Sequence, residues 1–242
     1  MTPRHTNLWM NSLKVLTTAL LFGATIAISC GCESQQNVSY DQPLLEDDDF
    51  DKAADRPPTP ETLYRYSRLL AAEGKNAEAE MLLQQSIERH PKFMPFYNEL
   101  AELYVRERKL DSAVNVLNKG LTVDANDAVT LNNLGMTLML KQDYEGALHA
   151  FTRANAADRD NARYVANMGM AAGMMGNYDE SLGLYQQILT PGQAHFNVAV
   201  LAEARNDMER ANQEYALANQ SDPNLIRKSD RYNGGLQQRK AR

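Results

Sequence analysis

An all-α solenoid of about five helix-turn-helix repeats is the fold class this sequence predicts. Three observations carry it. First, small residues recur at Ala79, Ala113, Ala147, Ser181 and Ala211, at intervals of 34, 34, 34 and 30. Second, each is followed four positions later by a bulky residue: Leu83, Leu117, Phe151, Tyr185 and Tyr215. Third, a second small set, Ser67, Ala101, Gly135, Gly169 and Ala199, runs twelve positions ahead of the first. Small slots let helices approach closely and bulky slots fill the space between repeats, so a fixed period of this length reads as stacked helix pairs. An irregular bundle has no reason to keep three equal intervals.

Punctuation divides the array. Thr59-Pro60-Glu61 supplies an N-cap, a proline suited to the first turn and an acid favourable to the helix dipole. Gly74, Asp143 and Gly176-Asn177 mark reversals inside repeats, while Pro91 and Pro223 stop the second helices of repeats one and five. The repeats are expected at 60–93, 94–127, 128–161, 162–191 and 192–225. Thr190-Pro191-Gly192 replaces a longer joint and accounts for the 30-residue interval. Ile188 stands where the other repeats carry a small residue, and Ala172 and Ala202 stand where Leu70, Tyr104 and Leu138 are large. An exchange of volume between facing positions is expected there.

The strings NNLGMTLMLKQDYEGALHAFTRANAADRD (132–160) and NMGMAAGMMGNYDESLGLYQQIL (167–189) resemble the tetratricopeptide repeat family, with NELAELYVRERKLDSAVNVLNKGLTVDAND (98–127) a looser match. The resemblance covers about 60–225. It implies a right-handed superhelical, non-enzymatic array that holds a protein or peptide in a concave groove lined by the first helices. The groove positions it implies are Asn133, Asn167 and Asn197, then Met136, Met170 and Val200, with Met139 and Met174 nearby. An asparagine ladder offers donors and acceptors to a peptide backbone irrespective of its sequence, and methionine surfaces adapt to varied apolar partners. The same methionines are equally readable as core between repeats. In the first two repeats the corresponding helices carry Arg65 and Arg68, then Glu99 and Glu102, which would select the charge of a partner. The carboxylate clamp of the chaperone-adaptor members is not matched, since those places hold Tyr64, Arg68, Glu99, Val129 and Asn133.

The N-terminus predicts a compartment. Arg4 and Lys14 precede an apolar run, 15–29, that ends at Cys30. The run is shorter than the roughly 20 residues that span a bilayer and matches the apolar part of a secretory signal. Residues 1–29 resemble a bacterial lipoprotein signal, with Cys30 the lipidated residue and Cys32 a rival acceptor; a plain secretory signal and an uncleaved anchor are the alternatives. Both cysteines lie at this junction, so the repeats hold no disulfide and no thiolate metal site. Lipidation places the chain in a bacterial cell envelope, with the repeats in the periplasm or outside the cell.

Residues 30–59 read as the lipidated N-terminus and an acidic, disordered tether, with eight acids against two bases from Glu33 to Thr59. Its EDDDFD run lacks the glycine and terminal glutamate of a calcium loop. The repeats 60–223 hold 15 Lys and Arg against 22 Asp and Glu, which excludes nucleic acid as the main partner. Residues 226–242 form a basic tail. With four histidines and no metal, phosphate-loop or nucleophile motif, no cofactor and no enzymatic activity are expected.

Among envelope lipoproteins the combination resembles those assisting Flp (tight-adherence) pili and the pilotins of type IV pili. That likeness implies binding of a secretin or other pilus component during membrane insertion. A general outer-membrane or peptidoglycan-assembly scaffold is the second binding reading, and a hydrolase concealed in the groove is the catalytic one.

Overall fold

The computed structural model describes residues 57–223 and Leu225. The export signal, Cys30, the tether up to Arg56 and the tail 226–242 lie outside the described residues. Ten α-helices and no strand occur among the described residues. They are α1 (Pro60–Ala72), α2 (Asn76–Arg89), α3 (Pro95–Arg106), α4 (Leu110–Val123), α5 (Ala128–Leu140), α6 (Tyr144–Ala157), α7 (Ala162–Met175), α8 (Tyr178–Gln186), α9 (Pro191–Ala204) and α10 (Met208–Ser221). The chain divides into two compact units, with the boundary between Ala125 and Asn126. The first holds α1–α4 and the second α5–α10.

Every first helix ends in the same way. The N–H of Lys75 bonds the carbonyl of Leu70 at 2.9 Å, Lys109 that of Tyr104 at 2.8 Å, and Asp143 that of Leu138 at 3.0 Å. Asn177 bonds Ala172, and Asp207 bonds Ala202, both at 2.9 Å. This six-to-one closure requires left-handed backbone at the residue between. That residue is Gly74 (φ 78°), Arg108 (62°), Gln142 (64°), Gly176 (93°) and Asn206 (64°). Only two of the five are glycine, so glycine punctuation marks fewer reversals than the fold makes. Starts are capped by Thr59, Asp127, Asn161 and Thr190, the last in a reciprocal capping box with Gln193.

In the first unit Ala79, Leu83, Phe96, Tyr97, Leu100, Leu103, Ala113 and Leu117 form the buried set. The Tyr97 ring lies 3.1 Å from where a side chain on Gly120 would begin. In the second unit, Met139, Ala147, Phe151, Ala171, Met174, Tyr185, Ala194, Val198 and Leu201 make one continuous core. Ser181, in its small slot, donates to the carbonyl of Gly169 at 2.7 Å and ties α8 to α7. Burial pushes the Tyr185 phenol far above the usual tyrosine range.

At Ile188 the chain has left the helical register in which an exchange of volume is expected. Helix α8 stops at Gln186 after 9 residues, so half-buried Ile188 falls in the turn beyond it and does not occupy the helical small slot. The shortened repeat thus has a shortened second helix, followed at once by the Thr190-capped start of α9.

Candidate partner-binding face

Within the second unit, α5, α7 and α9 are the first helices of three successive pairs, and α7 touches both of the others. Residues three apart share a helix face, which places Asn133 with Met136, Asn167 with Met170 and Asn197 with Val200. All six side chains are half-buried. Met136 and Met170 rest on the core with one side and remain partly open on the other.

The asparagines do not form a simple ladder of equivalents. Asn167 donates from Nδ2 to Oδ1 of Asn132, at 2.7 Å, not to its repeat counterpart Asn133. This amide bridge joins α5 to α7 and fixes the Asn167 side chain. The Thr137 hydroxyl bonds the Asn133 carbonyl at 2.8 Å, which stiffens the same turn of α5.

Two of the eight expected groove residues offer no surface. Met139 is 1% exposed and Met174 5%. Met139 lies six positions after Asn133, which turns it by about 240° round the helix and into the core. Met174 shares the stripe of Asn167 but sits in the last turn of α7, in the same core cluster as Leu201 and Val198. Arg205, from the end of α9, donates a guanidinium N–H to the Met174 carbonyl and satisfies the end of α7.

The charged positions of the first unit also differ from expectation. Glu99 is buried, with Arg68 and Arg106 each 3.6 Å away on opposite carboxylate oxygens. Burial, with Glu102 close by, pushes its carboxyl above the usual range against the pull of the two arginines. Glu99 therefore serves the packing of α1 on α3, whereas Arg65, Arg68 and Glu102 are exposed.

Sequence reasoning missed a second buried carboxylate. Glu214 of α10 holds His195 Nδ1 at 2.6 Å on one oxygen and Arg210 Nε at 2.8 Å on the other. Arg210 reaches on to Asp179 of α8 at 2.7 Å and lies over the Tyr178 ring. The i, i+4 spacing of Arg210 and Glu214 was the available signal, but the histidine comes from another helix. With both oxygens engaged, Glu214 links α9 and α10 and, through Arg210, α8. Among the described residues no cluster of His, Cys, Asp and Glu could hold a metal ion, and no helix is long and apolar enough to cross a membrane.

Residues 70–130 match one tetratricopeptide repeat family model and residues 128–161 match a second. Residues 70–161 are tetratricopeptide repeats. Solved structures agree with the tetratricopeptide architecture. A MamA protein is similar at 16% identity and TM-score 0.55, over 69% of this chain and 94% of that one. YrrB, described as a TPR protein with an unusual peptide-binding site, is similar at 18% identity and TM-score 0.53, over 68% and 87%. Pseudomonas aeruginosa PilF is similar at 20% identity and TM-score 0.52, over 67% and 76%. At these identities the likeness establishes the fold. No curated protein sequence matches the chain. The tetratricopeptide array makes this chain a protein-interaction adaptor, and proteins of this kind are generally scaffolds without catalysis.

Proposed function

We propose that the chain is a lipid-anchored adaptor of a bacterial envelope that holds a protein segment on the α5–α7–α9 face during pilus or secretion-apparatus assembly. The observation that carries this is the juxtaposition of the Asn132–Asn167 bridge with partly open Met136, Met170 and Val200. Fixed amides supply backbone hydrogen bonds, and pliable thioether chains bury an apolar segment of varied shape. The apolar run ending at Cys30 supports export and acylation. PilF, a relative in fold, and the peptide-binding site ascribed to YrrB are consistent with a protein ligand.

Pull-down from detergent-solubilised envelope, read by mass spectrometry, tests the reading. Wild type should capture a discrete set of envelope proteins, and the double variant Met136→Asp, Met170→Asp should lose it while retaining its helical melting transition. Capture of the same proteins at the same yield by a folded double variant overturns the assignment of the face.

A further inference from the structure

Sulfur is concentrated on two of the helices that build the docking face. Six of the eleven methionines lie in α5 and α7: Met136, Met139, Met168, Met170, Met174 and Met175. The only cysteines, Cys30 and Cys32, precede the repeats, so thioethers are the oxidisable sulfurs of the array. Packing separates these methionines. Met139 and Met174 are 1% and 5% exposed, whereas Met136 and Met170 are half-buried, against the core on one side and open on the other. At intervals of 34, 34, 34 and 30 this register holds Arg68, Glu102, Met136, Met170 and Val200, so only repeats three and four carry sulfur there. Met81 and Met208, 56% and 48% exposed, lie on the second helices α2 and α10.

We propose that Met136 and Met170 form a reversible oxidation site through which a peroxide switches off the α5–α7–α9 face, an inference that rests on that face being the docking surface. Hydrogen peroxide transfers one oxygen atom: the sulfur lone pair attacks, the O–O bond breaks and an S–O bond forms. Sulfur is oxidised by two electrons, and the displaced hydroxide takes the proton of the transferred oxygen and leaves as water. The product is a sulfoxide, a polar acceptor on a side chain that was apolar. A dithiol reductase reverses the step: the oxygen departs as water and the dithiol closes to a disulfide.

The two states differ in binding because they differ in hydration. In the free chain the sulfoxide oxygen has the open side of Met136 or Met170 through which to meet water, so the core beneath keeps its packing. In the complex an apolar segment laid over the face buries that oxygen and strips its water, which penalises the bound state alone. Asn133 and Asn167 stand one turn earlier on the same stripes, so a sulfoxide also competes with the partner's backbone for their amides. Arg68, Glu102 and Val200 offer this chemistry no sulfur.

The full-length chain in detergent is treated with graded hydrogen peroxide, mapped by peptide mass spectrometry, melted by circular dichroism and used for capture from detergent-solubilised envelope. Sulfoxide is expected first on Met81 and Met208, next on Met136 and Met170, and not on Met139 or Met174 while the melting transition persists. Capture should fall at least about tenfold in step with sulfoxide on Met136 and Met170, and return after treatment with methionine sulfoxide reductases for both sulfur configurations. The variant Met81→Leu, Met208→Leu should respond to peroxide as wild type does. Whatever capture the variant Met136→Leu, Met170→Leu shows should be equal before and after peroxide. Three results overturn the proposal: Met136 and Met170 unoxidised when Met81 and Met208 are fully converted, a melting transition abolished before capture falls, or equal peroxide sensitivity of capture in that leucine variant and wild type. Failure of the switch and failure of the face are distinct. Undiminished capture by a folded Met136→Asp, Met170→Asp variant removes the face itself. Loss of capture in that variant, with full capture by the oxidised wild type, removes only the switch.

Discussion

Gly135 lies directly under the ring of Phe151: a β-carbon on Gly135 would sit 2.4 Å from Phe151 Cε1 and 2.8 Å from Cζ. Phe151 is fully buried, so its ring cannot swing into solvent to make room. The contact joins α5 to α6 and explains why this slot is a glycine; Gly169, the other glycine in the series, lies under the Tyr185 ring in the same way. Gly135→Ala should destabilise the second unit by about 1–3 kcal/mol through overpacking. Gly183→Ala is the control, because Gly183 is exposed in α8 with nothing within 4 Å of its added carbon. It should stabilise by about 0.5–1 kcal/mol through helix propensity. Urea melts of both variants, read by circular dichroism, check the opposite signs.

The left-handed turn at Gln142 predicts a gain from glycine. Its φ of 64° is strained for a residue with a β-carbon, by about 1–2 kcal/mol. Gln142→Gly removes that strain but loosens the unfolded chain, so a net rise of a few tenths to about 1 kcal/mol is expected. Gln142→Val should fall by more than that, since a β-branched residue fits left-handed backbone poorly. Equal stabilities for the two variants would refute the argument.

A pH dependence follows from Glu99. Its folded-state carboxyl titrates above the ordinary glutamate value of about 4.3, chiefly because it is buried. The native state thus binds this proton more firmly than the unfolded state, and the sign of linkage is negative. The contribution is full below the unfolded value and is lost as pH rises through the folded one. Wild type should therefore lose melting temperature relative to Glu99→Gln between about pH 4 and neutrality. A difference that stays constant, or grows with pH, would show that the two arginines outweigh burial.

Anchoring is tested apart from the fold. Cys30→Ala should move the chain from the membrane to the soluble fraction and abolish lipid mass on the N-terminal peptide, whereas Cys32→Ala should change neither. Membrane retention of Cys30→Ala without acyl mass would favour an uncleaved anchor.

The helical array was legible because its information is local and repeated. Small and bulky residues at fixed spacing state which helix faces must touch, as Gly135 beneath Phe151 and Ser181 beside Gly169 do. Legibility failed where a residue's role depends on a helix elsewhere in the chain. Asn133, Asn167 and Asn197 share a register, yet the bond runs from Asn167 to Asn132. His195 and Glu214 lie nineteen positions apart on different helices, and only the packing of α9 on α10 brings them together.

By itself the sequence determined the fold class, the period and the two helices of each repeat, since spacing along a helix dictates which side chains share a face. The tertiary structure alone decided which of those faces remain open. Met139 and Met174 disappear into the core while Met136 and Met170 stay partly exposed, and Leu69 stays exposed on α1 where its counterparts Leu103, Thr137, Ala171 and Leu201 are buried. Periodicity constrains direction around one helix axis, whereas exposure depends on what the next helix covers, and that is set by packing in three dimensions.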